Sequence, residues 1–183
     1  MICVMRIFLY CANDPDLLNW VQGTAAHGFV QAYHAYVQQL SASERDRCYA
    51  EGVPATRLFG ATGAPGSQAE LEALFHATAG RLQRSAIVLK FLAIMRSAPI
   101  LPLRPAQHLL VAAAVDLVPC SVQAMLGLTG HGLHRWEAAA VRQAGALADR
   151  LVMETNPAVQ ACRRMRVPAD YLYVHRSAIG ACP

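Results

Sequence analysis

Asp14-Pro15-Asp16-Leu17-Leu18-Asn19-Trp20-Val21-Gln22-Gly23-Thr24, continuing to about Leu40, is the stretch whose reading decides the fold. Asp14 is an N-cap residue, Pro15 suits the first helical position because its missing amide would be unbonded there anyway, and Asp16 places a carboxylate near the positive end of the helix. Leu17, Leu18, Val21, Thr24, Ala25, Gly28, Ala32 and Ala35 then recur at three- and four-residue spacing. They mark one small, apolar helix face. A face of that kind lets a neighbouring helix or a flat ligand approach closely.

Downstream, Ser41-Ala42-Ser43-Glu44 is a capping box, so a second helix begins there. It is expected to weaken at Gly52-Val53-Pro54 and to end across Gly60 to Gly66. Ser67-Gln68-Ala69-Glu70 repeats the capping pattern and opens a third helix expected to run through Arg84. The apolar run Ser85 to Met95 is expected to continue or follow it as a buried helix. Pro99, Pro102 and Pro105 space an extended connector, with helix resuming after Pro105. Leu117-Val118-Pro119 ends or kinks that helix, a short piece reaches Gly127, and Gly130-His131-Gly132 is a turn. A helix is expected over His134 to Thr155, and a last short one begins at Asn156-Pro157 and stops at Val167-Pro168. Two-residue alternation is limited to a weak run, Tyr171-Leu172-Tyr173-Val174. The fold class is therefore all-α, a multi-helix orthogonal bundle.

The 183 residues suffice for a single unit with a core. Hydrophobic residues make up 55%, charged residues 15%, and the mean hydropathy is +0.26, which implies apolar surface buried in a partner or a cavity. The longest apolar runs, Ser85 to Met95 and Leu109 to Val118, fall short of the roughly 20 residues a membrane crossing needs, and Lys90 and Asp116 interrupt them. The N-terminus lacks a basic region before its apolar core, against the pattern of a signal peptide. Six scattered cysteines without a C-x-x-C pair fit reduced thiols and a cytoplasmic setting. The net charge is +4, with its tightest cluster at Arg163, Arg164 and Arg166. A solvated helix face accounts for that cluster, and no nucleic-acid partner is expected; no basic recognition helix of a DNA-binding regulator can be placed.

His27 and His34 stand seven apart on the first helix, about 10 Å in rise, and cannot share one ion. His131 and His134 have a ligand spacing at a glycine-flanked turn, but no further ligands follow to complete a site, so no metal site is assigned. His27 lies three residues after Thr24 beside the small apolar face, and a single axial imidazole is what a haem asks of its protein. A hydrogen-bonded histidine at a helix contact is the commoner explanation of such a residue. No nucleophile elbow or paired carboxylates occur.

The block Tyr10-x-Ala12-x-Asp14-Pro15-x-Leu17-Leu18-x-Trp20-Val21-x-x-Thr24 resembles a signature of the MpaB / rubber oxygenase family. The similarity continues through Tyr36, Leu40 to Arg45 with Tyr49, Leu58-Phe59-Gly60, Leu117-Val118-Pro119 and Leu126-Gly127-Leu128, covering residues 10 to about 166. Residues 1–9 then form a segment outside the family and 167–183 a tail. The resemblance implies a helical domain that binds haem b and cleaves carbon–carbon double bonds of isoprenoid chains with dioxygen. By position Thr24 would line the haem pocket with Trp20 packed near it, and a substitute axial ligand would be a residue such as His27. The family's proximal histidine and its distal arginine, lysine and threonine lie upstream of this block. Met1 to Leu9 do not reproduce the His-x-x-Val-x-Gly motif, and Gln22 stands where a histidine is often found. The chain is accordingly expected to match the C-terminal portion of the domain, without its N-terminal helices.

Two readings follow. One is an oxidoreductase, a haem b-dependent oxygenase acting on a hydrophobic, isoprenoid-like substrate. The other is a truncated, non-catalytic relative whose uncovered apolar face associates with itself or another chain.

Overall fold

The computed structural model describes residues 13–99, 103–148, 151–152 and 154–174, without the side chains of Ala158, Leu172 and Val174. Among them the chain is helical, with no strand. Helix α1 (Pro15–Tyr36) starts as its sequence dictates, with the Asp14 carboxylate accepting from the Asp16 amide at 3.0 Å. It stops four residues before Leu40, where the chain turns back and the Leu40 amide donates to His34 Nδ1 at 2.8 Å. Helix α2 (Ala42–Leu58) carries the full capping box: the Glu44 amide donates to Ser41 Oγ, and the Ser41 amide donates to Glu44 at 2.7 Å. It passes through Pro54 and ends before Gly60.

Helix α3 (Gln68–Ala79) is shorter than expected, since Gly80 caps it and Arg81 to Arg84 lie beyond. The loop between α2 and α3 is pinned to α1 by the Gly63 amide, which donates to Asn19 Oδ1 at 2.8 Å. Arg45 Nε donates to Gln68 Oε1 at 3.0 Å, and the Gln68 amide donates to Asp46 Oδ1 at 2.8 Å, so the starts of α2 and α3 are tied together.

Helix α4 (Ala86–Ser97) corrects the expectation of a buried helix: none of its residues is buried. An apolar run without periodicity identifies a helix but not which side of it the fold covers. Helix α5 (Arg104–Asp116) packs on α4 and holds much of the core through Val111, Ala113 and Val115, joined by Tyr49, Leu71, Val122 and Leu128. Pro105 sits in its first turn, so helix resumes two residues earlier than read. The middle of the proline connector, 100–102, lies outside the described residues.

Pro119 ends α5 for a definite reason. The Val115 carbonyl would bond the amide of residue 119, and proline has none. Gln123 Nε2 supplies donors instead, to Val115 O at 3.1 Å and Val118 O at 2.8 Å. Helix α6 (Cys120–Leu126) then closes on Gly127 at φ +72°, a left-handed position that glycine occupies without cost. Helix α7 (Arg135–Ala148) packs on α1 and α5. It is shorter than the expected His134 to Thr155, with Leu151 and Val152 outside helix. Helix α8 (Pro157–Arg164) follows, and the weak alternation at its end is a single turn, α9 (Tyr171–Val174), rather than a strand. Four residues are too few for alternation to outweigh helical context.

Among the described residues no single helix is long and apolar enough to cross a membrane. Only α5 and α6 taken together reach that length, and they are bent by 110°.

Candidate functional site

The small face of α1 does not close completely against its neighbours. Two cavities run along it. The first, about 480 Å³, lies between α1, α3 and the α5–α6 corner and is lined by Trp20, Thr24, His27, Gly28, Phe75 and Leu117 among others. The second, about 570 Å³, lies between α1, α5 and α7, with Ala32, Leu110, Ala114, Leu117, Val141 and Ala144 in its wall. Both volumes lie in the range of about 300–1,000 Å³ typical of ligand sites. Ala32, Ala114 and Leu117 belong to both, so the cavities adjoin as one groove whose lining is almost wholly apolar. At Gly28 the groove has its open floor: a methyl group added there meets nothing within 4 Å.

The three sequence-selected residues, Trp20, Thr24 and His27, are brought together at one end of this groove. Phe75 of α3 organises them, meeting Trp20 edge-on at 5.5 Å and His27 edge-on at 5.3 Å between ring centroids. Such edge-to-face contacts are favourable because the positive ring edge meets the negative face. Phe75 drew no functional reading from sequence, where with Leu71 it looks like one apolar stripe among others.

The polar atoms here are already committed. Thr24 Oγ1 donates back to the Trp20 carbonyl at 2.9 Å, with Val21 O at 3.1 Å, so its proton stays inside the helix. His27 Nε2 lies 3.0 Å from Leu117 O, and because a carbonyl only accepts, Nε2 must carry the proton and donate. The neutral ring then keeps one lone pair, on Nδ1. The acceptor is one of the carbonyls released where Pro119 breaks the α5 ladder. Thr24 and His27 thus present acceptors and no free donor to the groove, an environment suited to hydrocarbon rather than to a polar ligand.

His27 and Phe75 also line a third cavity of about 370 Å³ on the other side, where Gln31, Gln68, Glu72 and His76 add polar groups. His131 and His134 border a separate hollow with Arg96 and His108. Among the described residues no three His, Cys, Asp or Glu side chains converge on a metal position. In the basic cluster, Arg163 bonds Glu154 at 2.7 Å with both side chains exposed.

The groove tests what a haem would need. Its apolar walls and volume suit the face of a flat macrocycle, but its one imidazole has Nε2 engaged by Leu117. To ligate iron through Nε2 the ring would have to give up that bond and leave a half-buried carbonyl unpaired, at a cost of about 1–3 kcal/mol. As arranged, the ring offers a metal the lone pair of Nδ1 and not that of Nε2, so the described side chains do not fit a haem ligated through Nε2.

The family described as ER-bound oxygenase mpaB/B'/Rubber oxygenase, catalytic domain, matches residues 9–151. That span runs from just before the Asp14 cap to just beyond α7, and so contains the whole groove. No curated protein and no solved structure matches the chain.

Proposed function

Because the chain belongs to the MpaB / rubber oxygenase family, we propose that it is an oxidoreductase of that type and that its α1 groove holds the hydrophobic, isoprenoid-like substrate. The observation that carries this reading is the groove itself: two adjoining cavities, nearly all apolar, whose nearest hydroxyl and imidazole protons are both turned to backbone carbonyls. A chain of methyl-branched carbons loses no hydrogen bonds on entering such a space and gains about 0.8 kcal/mol for each methylene removed from water. Trp20 and Phe75 close one end and would set how far the chain enters. Oxidation by dioxygen in this family draws on haem b, and the present side chains supply the substrate wall of such a site.

The test is a fluorescence titration with a short polyprenol, read from Trp20 in a Trp136→Phe background, beside an absorption titration with haem. Saturable change in Trp20 emission, abolished when Gly28→Leu fills the floor, supports the groove as the substrate site. A polyprenol that leaves Trp20 unchanged overturns it. A sharp haem absorption band that disappears in His27→Ala would mean that the His27 ring binds iron, through Nδ1 as it stands or through Nε2 after releasing Leu117.

The alternative of a non-catalytic association module is favoured by one observation, the exposed apolar side chains of α4. It is distinguished by a concentration-dependent mass together with no oxidised product when haem, dioxygen and polyprenol are all supplied.

A further inference from the structure

Helix α4 leaves a stripe of large apolar side chains in the open. Ile87, Phe91 and Ile94 recur at spacings of four and three and are 76%, 56% and 53% exposed. Leu110 on α5, which packs against α4, and Leu103, which precedes α5, are exposed too. Water alone is a poor partner for such a surface.

The charge pattern identifies the partner. All twelve carboxylates of the chain lie within residues 14–72 or 116–170. Residues 73–115 hold none, and they hold five cations: Arg81, Arg84, Lys90, Arg96 and Arg104. Lys90 rises from the stripe itself, since residues 87, 90, 91 and 94 share one helical face. It is exposed, as is Arg104 at the start of α5. A symmetric contact with a second copy would lay this face on itself and set cations against cations.

We propose that α4 and the start of α5 form a membrane-contact face that rests on an anionic lipid surface, with Ile87, Phe91 and Ile94 in the headgroup–acyl boundary and Lys90 and Arg104 among the headgroups. Helix α4 is 12 residues, about 18 Å, too short to cross hydrocarbon but sufficient to lie along its surface. Leu110 borders both this face and the second cavity of the groove. A lipid-dissolved substrate could therefore pass to the groove without crossing water. That link rests on the substrate reading above, whereas the membrane contact does not.

Sedimentation with vesicles tests it, comparing phosphatidylcholine alone with phosphatidylcholine plus phosphatidylglycerol. The expected result is binding to the mixed vesicles at least about tenfold stronger than to neutral ones, weakening as salt is added. Phe91→Ser is expected to lower binding about tenfold. Lys90→Ala with Arg104→Ala should remove the anionic preference. Leu58→Ser, at an 87%-exposed position in the acid-containing part of the chain, should change neither. A melting curve for each variant checks its fold, and Phe91→Trp read with brominated lipid reports insertion directly by quenching. No sedimentation, equal binding to neutral vesicles, an inert Phe91→Ser, or no quenching overturns the proposal. So does a dimer in solution that Phe91→Ser dissociates, which would give the face to a second copy.

Discussion

Gly28 and Gly145 both sit inside helices, yet replacing each by alanine should affect stability differently, a gain at the first and none or a loss at the second. In isolation either change removes the helix penalty of glycine, about 0.8–1.0 kcal/mol. At Gly28 the new methyl enters the open groove and meets nothing within 4 Å, so the whole gain is expected. For a chain of 183 residues that corresponds to a rise in Tm of about 2–4 °C. At Gly145 the methyl would stand 2.5 Å from the Tyr36 carbonyl oxygen, a backbone atom that cannot rotate away. Helices α1 and α7 must part by several tenths of an ångström, an overpacking cost of about 1–3 kcal/mol that cancels or exceeds the helix gain. Thermal and urea unfolding followed by circular dichroism measure both. If Gly145→Ala stabilises as much as Gly28→Ala, α1 and α7 are not packed as described; if Gly28→Ala destabilises, the floor of the groove is not open.

Removing the Ser41 hydroxyl in Ser41→Ala should cost about 1 kcal/mol, read by urea unfolding, because the Glu44 amide loses its cap and Glu44 loses one of its two partners. Gln123→Leu keeps the volume of the side chain but removes its amide from Val118 O and from Val115 O, which retains the Val118 amide at 3.1 Å, and is expected to lower stability by about 1–3 kcal/mol in the same assay. Phe75→Ala should cost about 1–3 kcal/mol, less than for a fully buried ring because Phe75 is half-buried between two cavities, and should shift Trp20 emission to longer wavelength as water enters beside the indole. Stability is also expected to decline in alkali. Burial, reinforced by Asp116 and opposed by Arg142, raises the Tyr36 hydroxyl above its usual pKa of 10.0, and burial raises Tyr49 likewise. Their contribution is complete below pH 10, where both states hold the proton, and is lost as pH climbs toward the raised values. Unfolding monitored against pH, with Tyr36→Phe as comparison, checks this.

Local chemistry made much of the fold legible. Asp14, Ser41 and Ser67 announce helix starts because a side-chain oxygen beside free amides acts over three residues, and Pro119 announces a break because a missing amide is a local fact. The burial of α4 was not legible, since its leucines and isoleucines look alike whether a neighbour covers them or not. At the groove, the grouping of Trp20, Thr24 and His27 follows from one helix face and its spacing. The partner of His27 does not: Leu117 is 90 residues away, and its carbonyl is available only because of how the α5–α6 corner folds. Phe75 was hidden for the same reason, its role depending on which rings the tertiary structure brings to it.

The central claim, that the α1 groove receives a hydrocarbon ligand, is tested most directly by proton NMR contacts between a methyl-labelled protein and a bound short polyprenol. The expected result is transfer between the prenyl methyls and the methyls of Ala25, Ala32 and Ala114, which line the groove, and its loss in Gly28→Leu. Contacts confined to Ile87 and Ile94 on α4, or none at all, would contradict it.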